Sequence, residues 1–353
     1  MTDDSEPTVL ARARGGLGRL TLNRPRAINA LDLAMIDRLH AALDAWEHDT
    51  EVDIVLLDGA GERGLCAGGD VRGLAEQVAS GHAQDAAAFF RHEYALNARI
   101  AEYPKTFVAF ADGITMGGGI GVAGHAAVRI VTERSQLAMP ETRIGFTPDV
   151  GGTWLLARAP GRLGEYLGLT GAAMDASDAL YAGFADHFVP AENLDGLREA
   201  LETRADPASP TELVLLFDET PASSKLERAR SWIDDAFAAD TVPEILDRLR
   251  ARPEAKASAT ADLLEELSPT GLAVTLASVR RSRELASLRD ALEQEYGLVM
   301  WFATTQADLA EGIRAQLIDK DRSPKWQPAT LADLPPDLAE AALAFRPETP
   351  LWD

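Results

Sequence analysis

The sequence predicts an α/β fold. A core of short strands, glycine turns and helices spans residues 1–190, and an extended helical region spans 191–353. Three observations predict it. Short apolar and β-branched runs, bounded by glycine-containing turns, alternate with helical patterns in the first part. Strand signals nearly vanish beyond it, and helical spacing takes over. A strand–strand–helix unit recurs in the first part, although its residues keep no fixed period.

The elements follow in order. Residues 9–13 and 18–22 flank Gly15 and Gly16 and read as a hairpin. Residues 32–46 put Leu33, Ile36, Leu39 and Leu43 on one helical face, with Asp32 as N-cap. Residues 54–57 form a buried-type strand ending at Asp58 and Gly59, and 84–100 are helical. Residues 107–111 form a strand, after which Gly117, Gly118 and Gly119 open a short helix. Another strand covers 127–132, and helices cover 151–157 and 162–169. Beyond 191, helices are expected over 194–205, 226–238, 242–251, 259–267, 271–287 and 290–304. Pro207 and Pro210 mark a boundary, as does Pro253.

Composition narrows the function. The 353 residues include 34 Lys and Arg against 56 Asp and Glu, a net charge of −22. Such a chain repels polyanions, which argues against bulk nucleic-acid binding. An anionic ligand must meet a local basic island. Residues 11–31 offer one, with Arg12, Arg14, Arg19, Arg24, Arg26 and no acid. Taken singly, each reads better as a solvated strand-edge arginine. The single cysteine, Cys66, forms no intrachain disulfide and reads as a buried inert thiol. The acidic amino terminus resembles neither a signal nor a transit peptide. No apolar run reaches the ~20 residues of a membrane span. A cytoplasmic protein without membrane contact is expected.

Gly119 to Gly124 matches the dinucleotide fingerprint G-x-G-x-x-G. The strand at 127 follows too soon for a crossover, and no acid stands ~20 positions on. Close packing explains these glycines better. The six histidines are scattered, and no serine-hydrolase elbow is present.

Three segments remain: Leu65-Cys-Ala-Gly-Gly-Asp70, Gly113-Ile-Thr-Met-Gly-Gly-Gly119, and Met139-Pro-Glu-Thr142 with Pro148-Asp-Val-Gly-Gly152. A glycine-rich turn entering a helix leaves N–H groups aimed outward. Two such groups aimed at one spot form an oxyanion hole, each donor contributing ~3–4 kcal/mol to the transition state. On the residues alone, Glu141 is a solvated loop acid, Asp149 a cap or turn residue, and Glu93 one charge on a helix face. Asp70 reads as the cap of a helix starting near Val71.

Together with Leu22-Asn-Arg-Pro-Arg-Ala-Ile-Asn-Ala-Leu31, these segments resemble the crotonase superfamily, the enoyl-CoA hydratase/isomerase family. The resemblance implies a crotonase-like ββα spiral core that binds acyl-CoA. It implies oxyanion donors at Gly69 and Gly118, and CoA adenine contacts near Arg26, Ala27, Ile28, Ala67 and Gly68. No separate cofactor is implied, because CoA is part of the substrate. Relatives often form trimers, so a homo-oligomer is expected, which the helical tail could support or block.

Hydratases of this family use two glutamates. One matches Glu141, but the other falls on Gly121, and their usual glycine at position 149 is Asp149 here. The pattern is instead similar to the 3-hydroxyisobutyryl-CoA hydrolase branch, a thioesterase branch. That similarity extends to Phe89-Phe-Arg-His-Glu-Tyr94, Ser268-Pro-Thr270, Gln294-Glu-Tyr296 and Glu311-Gly-Ile-Arg-Ala-Gln-Leu-Ile-Asp-Lys-Asp-Arg-Ser-Pro-Lys-Trp326. It implies hydrolysis of a short β-hydroxyacyl-CoA, with Glu93 on the acyl hydroxyl and a place in valine breakdown. Glu141 would be nucleophile or general base, and Asp149 would orient or activate water. An enoyl-CoA isomerase or hydratase using Glu141 is the alternative, and a non-catalytic acyl-CoA binder a more distant one.

Overall fold

The computed structural model of the chain describes residues 7–70, 83–203 and 210–352. The expected helix after Asp70 and the proposed break at Pro207 lie outside the described residues. The strands are β1 (Val9–Arg14), β2 (Gly16–Leu22), β3 (Val52–Gly59), β4 (Thr106–Ala111), β5 (Ile114–Met116), β6 (Val128–Val131), β7 (Gln136–Ala138) and β8 (His187–Phe188). Helices α1 to α5 are Leu33–Glu47, Ala83–Glu102, Gly118–Ala123, Gly152–Arg158 and Leu163–Thr170. Helices α6 to α10 are Ala176–Ala182, Leu194–Thr203, Pro210–Leu215, Lys225–Phe237 and Val242–Ala251. Helices α11 to α15 are Ala255–Glu266, Pro269–Ser282, Leu288–Thr305, Asp308–Ile313 and Leu338–Ala344.

The chain forms two compact units that interleave along the sequence. The first takes in Met1–Gly69, Ala95–Leu137 and Met174–Ser223, so residue 190 lies inside it. The second takes in Asp70–Tyr94, Ala138–Ala173 and Ser224–Asp353.

The first unit is built on a six-stranded sheet of order β1-β2-β3-β4-β6-β8. The hairpin pairs β1 with β2 antiparallel, and every other neighbour is parallel. Strands β3 and β4 are buried on both faces, which is why they read as near-continuous apolar runs. Leu17, Ile54, Leu56, Val108, Phe110 and Ile130 share one face, covered by Leu194, Leu197 and Leu201 of α7. Helix α1 buries Met35, Ile36, Leu39, Leu43 and Trp46, and Asp32 caps it by accepting from the Met35 N–H at 2.8 Å. Leu33, expected on that face, is 37% exposed, because the buried stripe begins at Met35. Strands β5 and β7 form a small second sheet. The three-residue strands and α6 escaped the sequence reading, since so few residues show no period. Strand β4, strand β5 and helix α3 make one strand–strand–helix unit, of which the sequence showed β4 and α3.

The second unit is helical. Helix α12 packs against α4, α5 and α15. Its N-cap Ser268 accepts from the Gly271 N–H at 2.9 Å and donates to Asp308 at 2.6 Å. Capping boxes at Thr241 and Ser287 start α10 and α13. The cap at Ser287 explains why the helix expected over 271–287 stops at Ser282.

Candidate functional site

In the first unit, two glycine segments run side by side. The Cys66 N–H donates to the Ile114 carbonyl at 3.1 Å, and the Met116 N–H donates to the Cys66 carbonyl at 3.0 Å. This parallel bridge pairs Cys66 with Thr115, and a Cβ on Gly68 would lie 3.8 Å from the Gly118 nitrogen. Gly118 is the first residue of α3, so its N–H has no partner within the helix. Neither the Gly69 nor the Gly118 N–H has a hydrogen-bond partner among the described residues. The approach is close: a Cβ on Gly119 would lie 2.4 Å from the Cys66 carbonyl oxygen. Packing therefore explains Gly119, the first glycine of the apparent dinucleotide fingerprint. Cys66 is fully buried.

The residues expected near the CoA adenine also converge. The Ala67 N–H donates to the Ile28 carbonyl at 2.9 Å, and the Leu31 N–H to the Gly68 carbonyl at 2.9 Å. Buried Asn29 fixes this turn, accepting from the Arg24 N–H and donating to the Ala60 and Gly64 carbonyls. Arg26 and Ala27 are exposed. The basic island is smaller than the sequence suggests. Arg19 pairs with Asp58 at 2.8 Å, Arg24 with Asp32 at 3.2 Å and Arg14 with Glu202 at 3.8 Å. Arg12 and Arg26 have no acidic partner among the described residues.

Among the buried acids of the second unit, four lie close enough to feel one another's charge. Glu93 lies on α2, Glu141 opens the 3-10 turn Glu141–Ile144, Asp149 precedes α4, and Glu295 lies on α13. Their exposures are 2%, 6%, 7% and 0%. Glu141 is thus not the solvated loop acid that residues alone suggest, whereas Asp149 is the turn residue they suggest, but buried. Aromatic rings make the surroundings apolar: Phe146 packs on Phe90 and Phe302, and Tyr94 packs edge-on to Tyr296.

Burial in such a place favours neutral carboxyls. Burial, then the Asp149 charge, pushes Glu93 well above the usual carboxylate range. Glu141 rises for the same two leading reasons. Burial lifts Asp149 to about 7, opposed by the hydrogen bond from Tyr94. Burial likewise lifts Glu295 to about 8, opposed by its bonds from Thr153 and Gly151. The partners differ more than the burial does. Tyr94 donates its hydroxyl to Asp149 Oδ2 at 2.7 Å. Glu295 accepts from the Gly151 N–H at 2.6 Å, the Thr153 N–H at 2.8 Å and the Thr153 hydroxyl at 2.5 Å. Glu93 Oε1 and Glu141 Oε2 are buried with no hydrogen-bond partner among the described residues. A buried polar atom without a partner is costly, and it marks where a ligand can supply one.

The carboxy-terminal motif explains itself here. Its residues carry no reacting group but pack against the Glu141 turn. A Cβ on Gly312 would lie 2.2 Å from the Ile144 carbonyl oxygen, and one on Gly145 would lie 2.5 Å from the Asp308 carbonyl oxygen. Arg314 ties the segment together through Glu311, Asp319 and Asp321. The Trp326 indole donates to the Glu266 carbonyl at 2.9 Å.

Tyr94 and Glu295 are the site residues that sequence reasoning missed. A signal for Glu295 existed: it shares the apolar stripe of α13 with Leu292, Val299 and Phe302, so an acid there must be buried. Among the described residues, no three His, Cys, Asp or Glu side chains are grouped to hold a metal ion.

A family model described as enoyl-CoA hydratase/isomerase matches residues 17–343. The chain is 41% identical over 341 residues to the mitochondrial 3-hydroxyisobutyryl-CoA hydrolase of Rattus norvegicus, covering 92% of this chain and 86% of that protein. It is 38% identical over 339 residues to the mitochondrial enzyme of that name from Homo sapiens, covering 94% and 87%. A crystal structure of a carnitinyl-CoA dehydratase from Mycobacterium thermoresistibile superposes with a TM-score of 0.92, at 46% identity and 98% coverage of both chains. One of an enoyl-CoA hydratase from Rhodobacter sphaeroides gives 0.89 at 44% identity, covering 96% of this chain and 97% of that one. The mitochondrial relatives lend no support to the cytoplasmic expectation. Among the described residues, no helix is long and apolar enough to cross a membrane.

Proposed function

Because the chain belongs to the enoyl-CoA hydratase/isomerase family, we propose that it hydrolyses 3-hydroxyisobutyryl-CoA to 3-hydroxyisobutyrate and CoA. One observation carries the reading: Glu93 and Glu141 each keep a buried carboxyl oxygen with no partner among the described residues, while Tyr94 holds a third buried acid, Asp149. A thioester with a β-hydroxyl supplies a partner for one and an electrophilic carbon for the other.

In this reading the N–H groups of Gly69 and Gly118 donate to the thioester oxygen. They bind it more strongly once the tetrahedral oxyanion forms. Glu93 takes the acyl hydroxyl. Two routes put the same demand on Glu141. In one, its carboxylate oxygen bonds the acyl carbon, the C–S bond breaks, and Asp149 protonates the departing thiolate. Water then opens the anhydride, returning one proton to Asp149 and releasing the other with the acid. In the second route, Glu141 takes a proton from water as the water oxygen bonds the acyl carbon, and passes it to the thiolate. Asp149, held at about 7, suits proton transfer at neutral pH in either role.

The names of relatives diverge, since two similar structures are called a dehydratase and a hydratase. The residues favour hydrolysis. Water addition as hydratases perform it asks for a second carboxylate at position 121, where Gly121 stands. Replacing Glu141 with Gln tests the assignment. Free CoA release should fall by at least ~10³-fold while calorimetry still detects binding of the thioester. Turnover at the original rate would remove Glu141 from the mechanism.

A further inference from the structure

The turn that carries Asp149 is strained. Val150 sits at φ 53°, in the left-handed region that β-branched residues avoid. Gly151 follows at φ 78°. The Gly152 N–H closes the turn onto the Asp149 carbonyl at 2.6 Å. A conformation of this kind persists only where its surroundings over-determine it.

Two residues far away in sequence do so. On one side Glu295 takes up the Gly151 N–H and both donors of Thr153. The Thr153 hydroxyl is further held by Ser282 at 2.8 Å, and Gln294 donates to Ser282 at 3.0 Å. A carboxylate with both oxygens accepting is the group that N–H donors at the start of α4 need. On the other side the Tyr94 hydroxyl fixes Asp149 Oδ2. Tyr94 is fully buried, and burial together with Asp149 keeps it protonated as a donor. We infer that Glu295 and Tyr94 are positioning residues that clamp the strained Asp149–Val150–Gly151 turn from opposite ends and thereby aim the Asp149 carboxyl.

The inference rests on the proposed role of Asp149, and it gives α13 a task in the reaction. A helix over 140 positions away holds the catalytic turn. Four acidic groups face one another here. Glu93 and Tyr94 come from α2, Glu141 from the 3-10 turn, and Glu295 from α13. A donor to a carboxylate favours its charged form. Removing the Tyr94 hydroxyl therefore raises the pH at which Asp149 ionises.

The test uses the full chain and three variants. Glu295→Gln places an amide donor against the Gly151 or Thr153 donors. It should lower kcat at least ~10-fold with KM within ~3-fold. Thr153→Val, which removes one donor at nearly equal volume, is the milder variant should Glu295→Gln fold poorly, and it should lower kcat in the same sense. Tyr94→Phe should move the Asp149 limb of the pH–rate profile upward by about one pH unit, a change that a loss of general stability would not cause. The Asp149 carboxyl resonance, followed by NMR against pH in protein labelled with ¹³C-aspartate, gives a readout independent of turnover. The inference is overturned if the resonance titrates identically in wild type and Tyr94→Phe, or if folded Glu295→Gln and Thr153→Val both keep the wild-type kcat. A wild type that releases no thiol would sink the proposed reaction. The resonance would still decide whether Tyr94 holds Asp149.

Discussion

Replacing Gly119 with Ala probes the paired N–H groups by sterics alone. Its added Cβ would lie 2.4 Å from the Cys66 carbonyl oxygen and 3.0 Å from Cys66 Cβ. The nearest atoms are the Cys66 carbonyl and Cβ, fixed to the backbone, so no flexible side-chain end can give way. In helix α3 the substitution gains up to ~1 kcal/mol of helix propensity. Overpacking against it costs ~1–3 kcal/mol, so the clash prevails. Relief comes by moving the Cys66–Gly69 segment away from α3, which separates the Gly69 and Gly118 N–H groups. Loss of one such donor costs ~10²–10³ in kcat. Gly183→Ala is the control. Gly183 sits at φ 79° with nothing within 4 Å of an added Cβ, so it loses only the ~1–2 kcal/mol of a left-handed residue. Thiol release and thermal melting on both variants decide the matter. Gly119→Ala should lose activity far beyond its loss of stability, and Gly183→Ala should lose stability alone. Equal kcat in both would refute the reasoning.

Asp149 makes stability depend on pH. Its folded value of about 7 lies above the ordinary 3.8, so its contribution is complete below the ordinary value and declines as pH rises towards 7. Asp149→Asn should therefore gain in melting temperature over wild type at pH 8, by ~2 °C or more, and gain less at pH 4; an equal difference at both would contradict the assigned environment. Gly312→Ala sets a Cβ 2.2 Å from the Ile144 carbonyl oxygen and should displace the Glu141 turn. It should lower kcat ~10-fold or more, whereas Gly297→Ala, with only the Phe345 carbonyl oxygen at 3.3 Å, should not.

Much of this molecule was legible before its structure. Periodicity found α1, α2, α7 and α9 to α13 because each has enough turns to show a stripe, whereas the six- and seven-residue α8, α14 and α15 do not. Asp32 announced its cap. The resemblance of the glycine segments to the crotonase family implied Gly69 and Gly118, and those segments run beside each other at the Cys66–Thr115 bridge. What stayed hidden depends on contacts between distant residues. No local pattern tells that Arg14, Arg19 and Arg24 find acidic partners at Glu202, Asp58 and Asp32, leaving a smaller basic surface. Residues alone make Glu141 a solvated loop acid and Asp149 a cap or turn residue, since a loop in sequence looks exposed. Their burial comes from α2, α13 and the carboxy-terminal motif closing over them. Tyr94 was quoted within a motif yet had no assigned task, because its partner lies 55 positions away.

Free CoA appearing from 3-hydroxyisobutyryl-CoA is the most direct measurement of the central claim. The wild-type chain should release thiol stoichiometrically with acid, without added metal or nucleotide. A short enoyl-CoA offered in parallel should keep its conjugated double bond. If that absorbance is lost and no thiol is released from either substrate, the chain adds water to double bonds and the buried carboxyls serve a different reaction.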